Sequence, residues 1–344
     1  MREEAGAELS GLTTLGMGGT CAVALSLDSR EDLPAFEARR KELGLPCEVL
    51  ARGSNILARE GRHELVLVRP CFADAPALAS AEAAGAELGV EEGAWPEGTV
   101  FVTCGAGVAL PRLLAFLRDA GLSGMEGLAG IPGSVGGAVA MNAGSFGCET
   151  GACLASVEVW NGEALVRIPR QGFDVGYRHF AVKGALEPVL VVSAAFALTP
   201  APSSGIAERM QANLLAKKSR QPVTARSAGC VFKNPPEGPS AGMLLDRAGF
   251  RGRTRGGVAL SEMHANFLVN RGGGTAEDAF ALLGEAQEAV LAKFGVALEY
   301  EVRVLPCRSF GTARPRARAP ARSPDVRPRR SRLASWTGAP SSRR

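Results

Sequence analysis

A chain of 344 residues, 46% of them hydrophobic and 22% charged, carries enough apolar material for two or three packed domains, which excludes a wholly disordered or low-complexity protein. The net charge of +4 is unevenly placed: residues 306–344 hold eleven arginines and one aspartate, so the remainder carries −6 and the basic character belongs to the last segment. No apolar run reaches the length of a membrane span and the N-terminus lacks a leader pattern, so a cytoplasmic address without membrane partners is expected. Eight cysteines scattered without a C-x-x-C pair read as free thiols, and three distant histidines give no metal-ligand cluster, so no metal site is expected.

In chain order, Leu12–Leu27 ends in an alternating strand behind a Gly-rich turn. Asp28–Leu43 reads as a helix with Asp28 as N-cap, an apolar stripe of Leu33, Phe36 and Leu43, and Gly44 as its stop. A strand at Cys47–Leu50 runs into Arg52-Gly-Ser-Asn-Ile-Leu57, a strand-to-loop junction that presents main-chain donors to a ligand. Taken alone that motif is weak. Leu65–Arg69 is a short strand, Cys71–Thr103 is expected to hold a surface hairpin, Val100–Cys104 is a strand, and Pro111–Ala120 is a helix with Gly121 past its end.

Gly124–Gly147 follows and is too poor in bulky side chains for ordinary core. Its glycines let a ligand approach the main chain, and Ser134 before small residues suits the start of a short helix facing an anion such as a diphosphate. Leu154–Trp160 and Val189–Leu198 read as strands, with Asn161-Gly162 a hairpin turn. Ser203–Lys218 is an amphipathic helix whose cationic exit, Lys217-Lys-Ser-Arg-Gln-Pro222, suits both a helix C-terminus and an anionic substrate. Ser240 caps a short helix Ala241–Ala248, Phe267–Asn270 is a strand, and Thr275-Ala-Glu-Asp278 opens a long helix to Phe294 with Gly295 as its stop. Val296–Leu305 is the closing strand, its alternation placing Glu299, Glu301 and Arg303 on one face. Pro306–Arg344, dominated by Pro, Arg, Ser and Ala, has the composition of a disordered, solvated tail, and no nucleic-acid partner is expected for it.

Eight motifs in series, Thr14-Leu-Gly-Met-Gly-Gly19, Gly53-Ser-Asn-Ile-Leu57, Gly124–Gly147, Tyr177-Arg178, Ser219-Arg-Gln-Pro222, Ala228-Gly-Cys-Val-Phe-Lys-Asn-Pro235, His264-Ala-Asn-Phe-Leu-Val-Asn270 and Glu301-Val-Arg303, resemble the MurB family of UDP-N-acetylenolpyruvoylglucosamine reductases. The resemblance spans about Leu12 to Leu305. It implies an α+β fold, a two-domain FAD-binding module of the vanillyl-alcohol-oxidase (PCMH) type with a third α+β substrate-binding domain. The implied segments are 1–70 and 71–215 for FAD, with the strand at 296–305 returning to the second, 216–295 for the substrate, and 306–344 as tail.

The resemblance further implies non-covalent FAD, NADPH as reductant, UDP-GlcNAc-enolpyruvate as substrate and a monomer. Carried over by position, FAD would be held by Thr14, Arg52, Gly53, Ser54, Asn55, Ile56, Leu57, Gly124, Gly127, Gly130, Ile131, Pro132, Gly133, Ser134, Gly137, Asn142 and Gly144. Arg178 would stabilise the enolate, Cys230 would donate the proton, and Glu301 would partner Arg178 or join the acid relay. Tyr177, Arg220, Gln221, Lys233, Asn234, His264 and Asn266 would line the substrate pocket. Two departures stand out: Cys230 replaces the usual serine, and His179 stands where relatives carry serine after Tyr-Arg. A catalytically impaired relative and a covalent-flavin oxidase of the same fold are the alternatives. The second would need a His or Cys near the flavin ring, and Arg52-Gly-Ser-Asn55 offers neither.

Overall fold

The computed structural model describes residues 1–79, 85, 88–89, 93–185 and 189–306, all within a single compact unit. All but Pro306 of the tail expected at 306–344 lies outside the described residues, as does part of the hairpin expected in 71–103.

The first segment builds a four-stranded sheet in the order Arg2–Ala5, Thr20–Leu27, Arg62–Pro70, Cys47–Val49, antiparallel at the first pair and parallel at the other two. Between Thr20–Leu27 and Cys47–Val49 runs the helix Asp32–Leu43, which buries Leu33 and Phe36 and ends at Gly44 with φ 61°. It starts four residues later than the sequence suggests. Asp32 rather than Asp28 accepts the free amides of the entry turn, from Asp28 N at 2.8 Å and Ser29 N at 3.2 Å, while the Asp28 carboxylate pairs with Arg2.

The second segment is an antiparallel sheet in the order Leu165–Pro169, Leu154–Trp160, Leu190–Pro200, Val100–Gly105, Ala77–Ala79. The helices Leu110–Asp119 and Val135–Ala140 pack on it. One apolar core is shared by the two segments, with Leu25, Leu33 and Val66 of the first against Val102, Leu113, Val157 and Phe196 of the second.

Arg226–Cys230, Phe267–Asn270, Val258–Leu260 and Thr254–Arg255 make a third sheet in that order, all antiparallel, covered by helices Ala241–Arg247 and Ala276–Phe294. The long helix starts as its capping sequence requires, with Thr275 Oγ1 accepting from Asp278 N at 3.1 Å. The core beneath it takes in Leu15, Met17 and Leu57 as well as Phe232, Leu244 and Leu282. The third segment is therefore seated on the first, and Asn270 Nδ2 reinforces that seat by donating to Leu15 O at 2.8 Å.

The closing strand is Arg303–Leu305 only, and it does not return to the 71–215 segment. It pairs in parallel with Ile56–Ala58 of the first: Val302 packs in one core with Leu57, Leu305 in another with Ile56 and Ala58, and Arg59 N reaches Leu305 O at 2.8 Å. This pairing threads Glu301 beside the Arg52–Leu57 loop.

Candidate active site

Two glycine-bearing loops meet at the junction of the segments. Gly53 has φ 61°, and a Cβ there would lie 2.1 Å from Leu12 O, so only glycine lets the Arg52–Leu57 loop lie against residues 12–14. Thr14 locks that contact, its N–H donating to Gly53 O at 3.2 Å and its Oγ1 to Ser227 O at 2.6 Å. Ser54 Oγ donates to Pro132 O at 3.4 Å, and a Cβ on Gly133 (φ 128°) would stand 3.1 Å from that same Oγ. Ser134 then caps Val135–Ala140 by accepting from Gly137 N at 3.3 Å. Among the described residues, the backbone N–H groups of Gly53, Ser54, Asn55, Gly130, Gly133 and Ser134 have no acceptor. Two touching loops of free N–H donors fit the diphosphate of a dinucleotide such as FAD.

Other expected cofactor residues have different surroundings. Ile56 and Leu57 are buried strand residues, Ile131 is half-buried, and Arg52 and Pro132 are exposed. Gly127 and Gly144 pack against Cys148, and Gly124 carries the carbonyl that Cys148 Sγ reaches at 3.2 Å. Asn55 turns to the closing strand, with Nδ2 donating to Glu301 O at 3.2 Å and its carbonyl accepting from Arg303 N at 2.9 Å. Asn142 is buried and fully occupied. Its Nδ2 donates to Gly176 O and Glu149 Oε2, both at 2.9 Å, and its Oδ1 accepts from Gly151 N at 2.7 Å.

Through Asn142 the glycine-rich segment fixes Gly176, the residue before Tyr177 and Arg178. These two form the tip of the hairpin Phe173–Gly176/His179–Val182, with Arg178 in left-handed backbone at φ 55°. The turn aims the guanidinium at the closing strand, where Arg178 Nε donates to Glu301 Oε1 at 2.5 Å, both side chains largely buried. The remaining guanidinium N–H groups have no acceptor among the described residues, which leaves a fork for a carboxylate. Tyr177 OH also bonds the Glu301 carboxylate and accepts from Asn234 N at 3.4 Å. Burial pushes the Glu301 carboxyl above its ordinary range, with Arg178, Tyr177 and Lys233 pulling the other way.

Cys230 ends strand Arg226–Cys230, faces both Arg178 and Glu301, and bonds Asn266. Burial, then the Glu301 charge, push its thiol up to about 12. At neutral pH it is a protonated S–H and not a thiolate. Residues from three distant parts of the chain thus form one group: a fixed cation, the carboxylate paired with it and an S–H. His179, in place of the serine, is exposed and begins the next strand.

The expected substrate residues divide. Tyr177 belongs to the group. Asn266 is buried and clasps the Phe232 backbone, with Nδ2 donating to Phe232 O at 2.7 Å and Oδ1 accepting from Phe232 N at 2.9 Å, so it positions the Cys230 strand. The Lys233 ammonium meets Glu299 at 3.3 Å, and Asn234 Oδ1 accepts from Ala241 N at 3.1 Å. His264 Nδ1 accepts from Asn266 N at 3.3 Å, and burial and Arg251 lower its pKa, so it stays neutral and shapes the turn. Arg220 is exposed at the end of helix Ser203–Arg220, and neither it nor Gln221 bonds to the Arg178 group.

Lys217 is the residue that sequence reasoning missed. Three residues before Arg220, it is only 4% exposed, and its Nζ donates to Ala129 O in the glycine-rich segment at 2.7 Å. Burial lowers its ammonium to about 8. Its place in the cationic exit was visible, but its inward face was not.

Residues 221–305 match the family described as UDP-N-acetylenolpyruvoylglucosamine reductase, C-terminal domain, and residues 92–167 match an FAD binding domain. The chain is 46% identical over 301 residues to the UDP-N-acetylenolpyruvoylglucosamine reductase of Nitratidesulfovibrio vulgaris, covering 87% of this chain and 97% of that one. It is 38% identical over 297 residues to the Geobacter metallireducens protein of the same name, covering 85% and 90%. The crystal structure of UDP-N-acetylenolpyruvylglucosamine reductase from Thermus caldophilus superposes with a TM-score of 0.69 at 35% identity, over 89% of this chain and all of that one.

Proposed function

The chain belongs to the UDP-N-acetylenolpyruvoylglucosamine reductase (MurB) family, and from that premise we propose which of its residues carry the reaction. The activity is the FAD-dependent, NADPH-driven reduction of UDP-N-acetylglucosamine enolpyruvate to UDP-N-acetylmuramate for peptidoglycan precursor synthesis, on the α+β PCMH-type fold with a third α+β domain. FAD, when bound, supplies the hydride delivered by NADPH. The two loops around Gly53 and Gly133 hold its diphosphate through their free N–H groups.

Arg178 takes the substrate's carboxylate with its free fork and stabilises the negative charge that grows there once the enolpyruvyl double bond is reduced. Glu301, tethered by Asn55 through its own backbone, fixes the guanidinium by the 2.5 Å contact. The Cys230 S–H protonates the carbanionic carbon, Arg178 offsets the charge left on sulfur, and a proton taken up from solvent, relayed by the Glu301 carboxylate, restores the thiol. The observation that supports this reading most is the convergence of Arg178, Glu301 and Cys230, 123 residues apart at the ion pair.

The test is NADPH oxidation by the purified, flavin-loaded protein. Oxidation should require the enolpyruvyl sugar nucleotide and give the lactyl ether product, and absence of substrate-dependent turnover would reject the function. We also propose that segments 1–70 and 71–215 bind FAD and 216–295 the substrate, and that the protein acts as a cytoplasmic monomer. Light scattering at assay concentration checks the last, and a dimer mass would reject it. No helix among the described residues is long and apolar enough to cross a membrane.

A further inference from the structure

Among the described residues, three other than glycine have left-handed backbone: Asn142 at φ 40°, Phe146 at φ 51° and Arg178 at φ 55°. Asn142 is held there by its three hydrogen bonds and Arg178 by Glu301. Phe146 has no such anchor. With Gly147 (φ 73°) it forms the two-residue tip of the hairpin Gly144–Ser145/Cys148–Glu149, both residues at positive φ. Asn or Asp is the favoured first residue of such a turn, and bulky side chains rarely adopt this conformation.

Core burial does not explain it, since Phe146 is 48% exposed. Its ring instead stands over Lys217, with Nζ 5.6 Å from the ring centroid. Lys217 lies along the glycine-rich segment, its Cδ 3.2 Å from where a Cβ of Gly130 would be, and no carboxylate among the described residues is within ion-pair distance of it. A buried ammonium whose neighbours are a carbonyl and an aromatic face has charge to spare for an anion. An exposed ring in a rarely used backbone conformation, on the rim of the loop with free N–H groups, is placed to cover whatever the loop holds.

Resting on the FAD reading above, we propose that Phe146 closes over the FAD held on the Gly130–Ser134 loop, with Lys217 beneath it facing the cofactor's anionic part. The ring is a cofactor-retaining group, and the conformation is kept for that duty rather than for the turn.

The test separates turn from ligand. In the flavin-loaded full chain, Phe146→Asn should raise the thermal midpoint of the flavin-stripped protein, because Asn-Gly suits the turn. The same variant should release flavin at least tenfold faster on dilution, read as recovery of free FAD fluorescence. Phe146→Tyr should hold flavin as the parent does, Phe146→Gly should lose it as Asn does, and Lys217→Met should also release it faster. Stabilised Asn and Gly variants with unchanged flavin release would overturn the proposal, as would an effect confined to the KM of the sugar nucleotide. A parent chain that takes up no flavin at all would instead sink the functional reading and this proposal with it.

Discussion

Removing the Cys230 thiol should stop one half of the reaction and spare the other. The thiol stands at about 12, so at pH 7.5 on the order of one molecule in 10⁴ to 10⁵ is thiolate and the donor form is saturated across the working range. Loss of a general acid costs about 10²–10⁴ in rate, or roughly 3–5 kcal/mol of barrier. In anaerobic stopped-flow, Cys230→Ala should accept hydride from NADPH as fast as the parent, then return it to the enolpyruvyl sugar nucleotide 10²- to 10⁴-fold more slowly. Cys230→Ser, which restores an O–H, should recover most of the loss. Because the folded-state pKa is raised, the donor is lost only as pH rises toward about 12, so the protonation step should show no thiol-dependent fall between pH 7 and 9. A parallel check is alkylation, which at pH 8.5 should label Cys230 about 10³-fold more slowly than a free thiol. If the alanine variant returned hydride at the parent rate, Cys230 would not be the donor and the assignment of the group would fall.

Three further changes test the scaffold. Gly53→Ala forces a Cβ to within 2.1 Å of Leu12 O at a left-handed position, so the flavin loop must shift; we expect a loss of at least about 1–3 kcal/mol in urea unfolding and protein purified without flavin. Asn142→Ala leaves Gly151 N without its acceptor and takes a side-chain donor from Gly176 O, and a loss of about 1–3 kcal/mol with a raised KM for the sugar nucleotide is expected, whereas an unchanged KM would show that the Arg178 turn stands without it. Glu126 is held down to about 2, against burial, by Ser123, Arg209 and the Gly124 amide. Its depressed pKa contributes stability that is full above pH 4.5 and lost as pH falls toward 2, an upper bound of about 3 kcal/mol, so Glu126→Gln should flatten the parent's stability curve in that window.

The strands and helices that depend on local punctuation were legible. Ser134, Ser240 and Thr275 cap their helices by side-chain bonds to the third residue on, and Gly44 and Gly295 end theirs in left-handed backbone, because these signals act over four residues. The misreadings came where partners are distant. Asp28 was a reasonable N-cap until Arg2 claimed it, and the closing strand could not be assigned a neighbour from alternation, since its edge at Ile56–Ala58 lies some 250 residues earlier in sequence.

The site divides along the same line. Arg178, Glu301 and Cys230 are named through a family resemblance, yet nothing in their spacing tells that the first two, 123 positions apart, form a buried ion pair or that the third stays protonated; both facts follow from burial that the intervening chain must create. Asn142 and Asn266 show the converse. Each sits in a motif expected to touch a ligand, and an amide serves equally well to bind a phosphate or to bind a backbone. In both cases main-chain groups take most of the side chain's hydrogen-bonding capacity, Gly151 N and Gly176 O for one and Phe232 N and O for the other, with Glu149 and Cys230 as the side-chain partners. Asn142 sets the left-handed turn that aims Arg178, Asn266 holds the strand that carries Cys230, and the thiol and the cation meet at Glu301 because these two amides fix the backbones on either side.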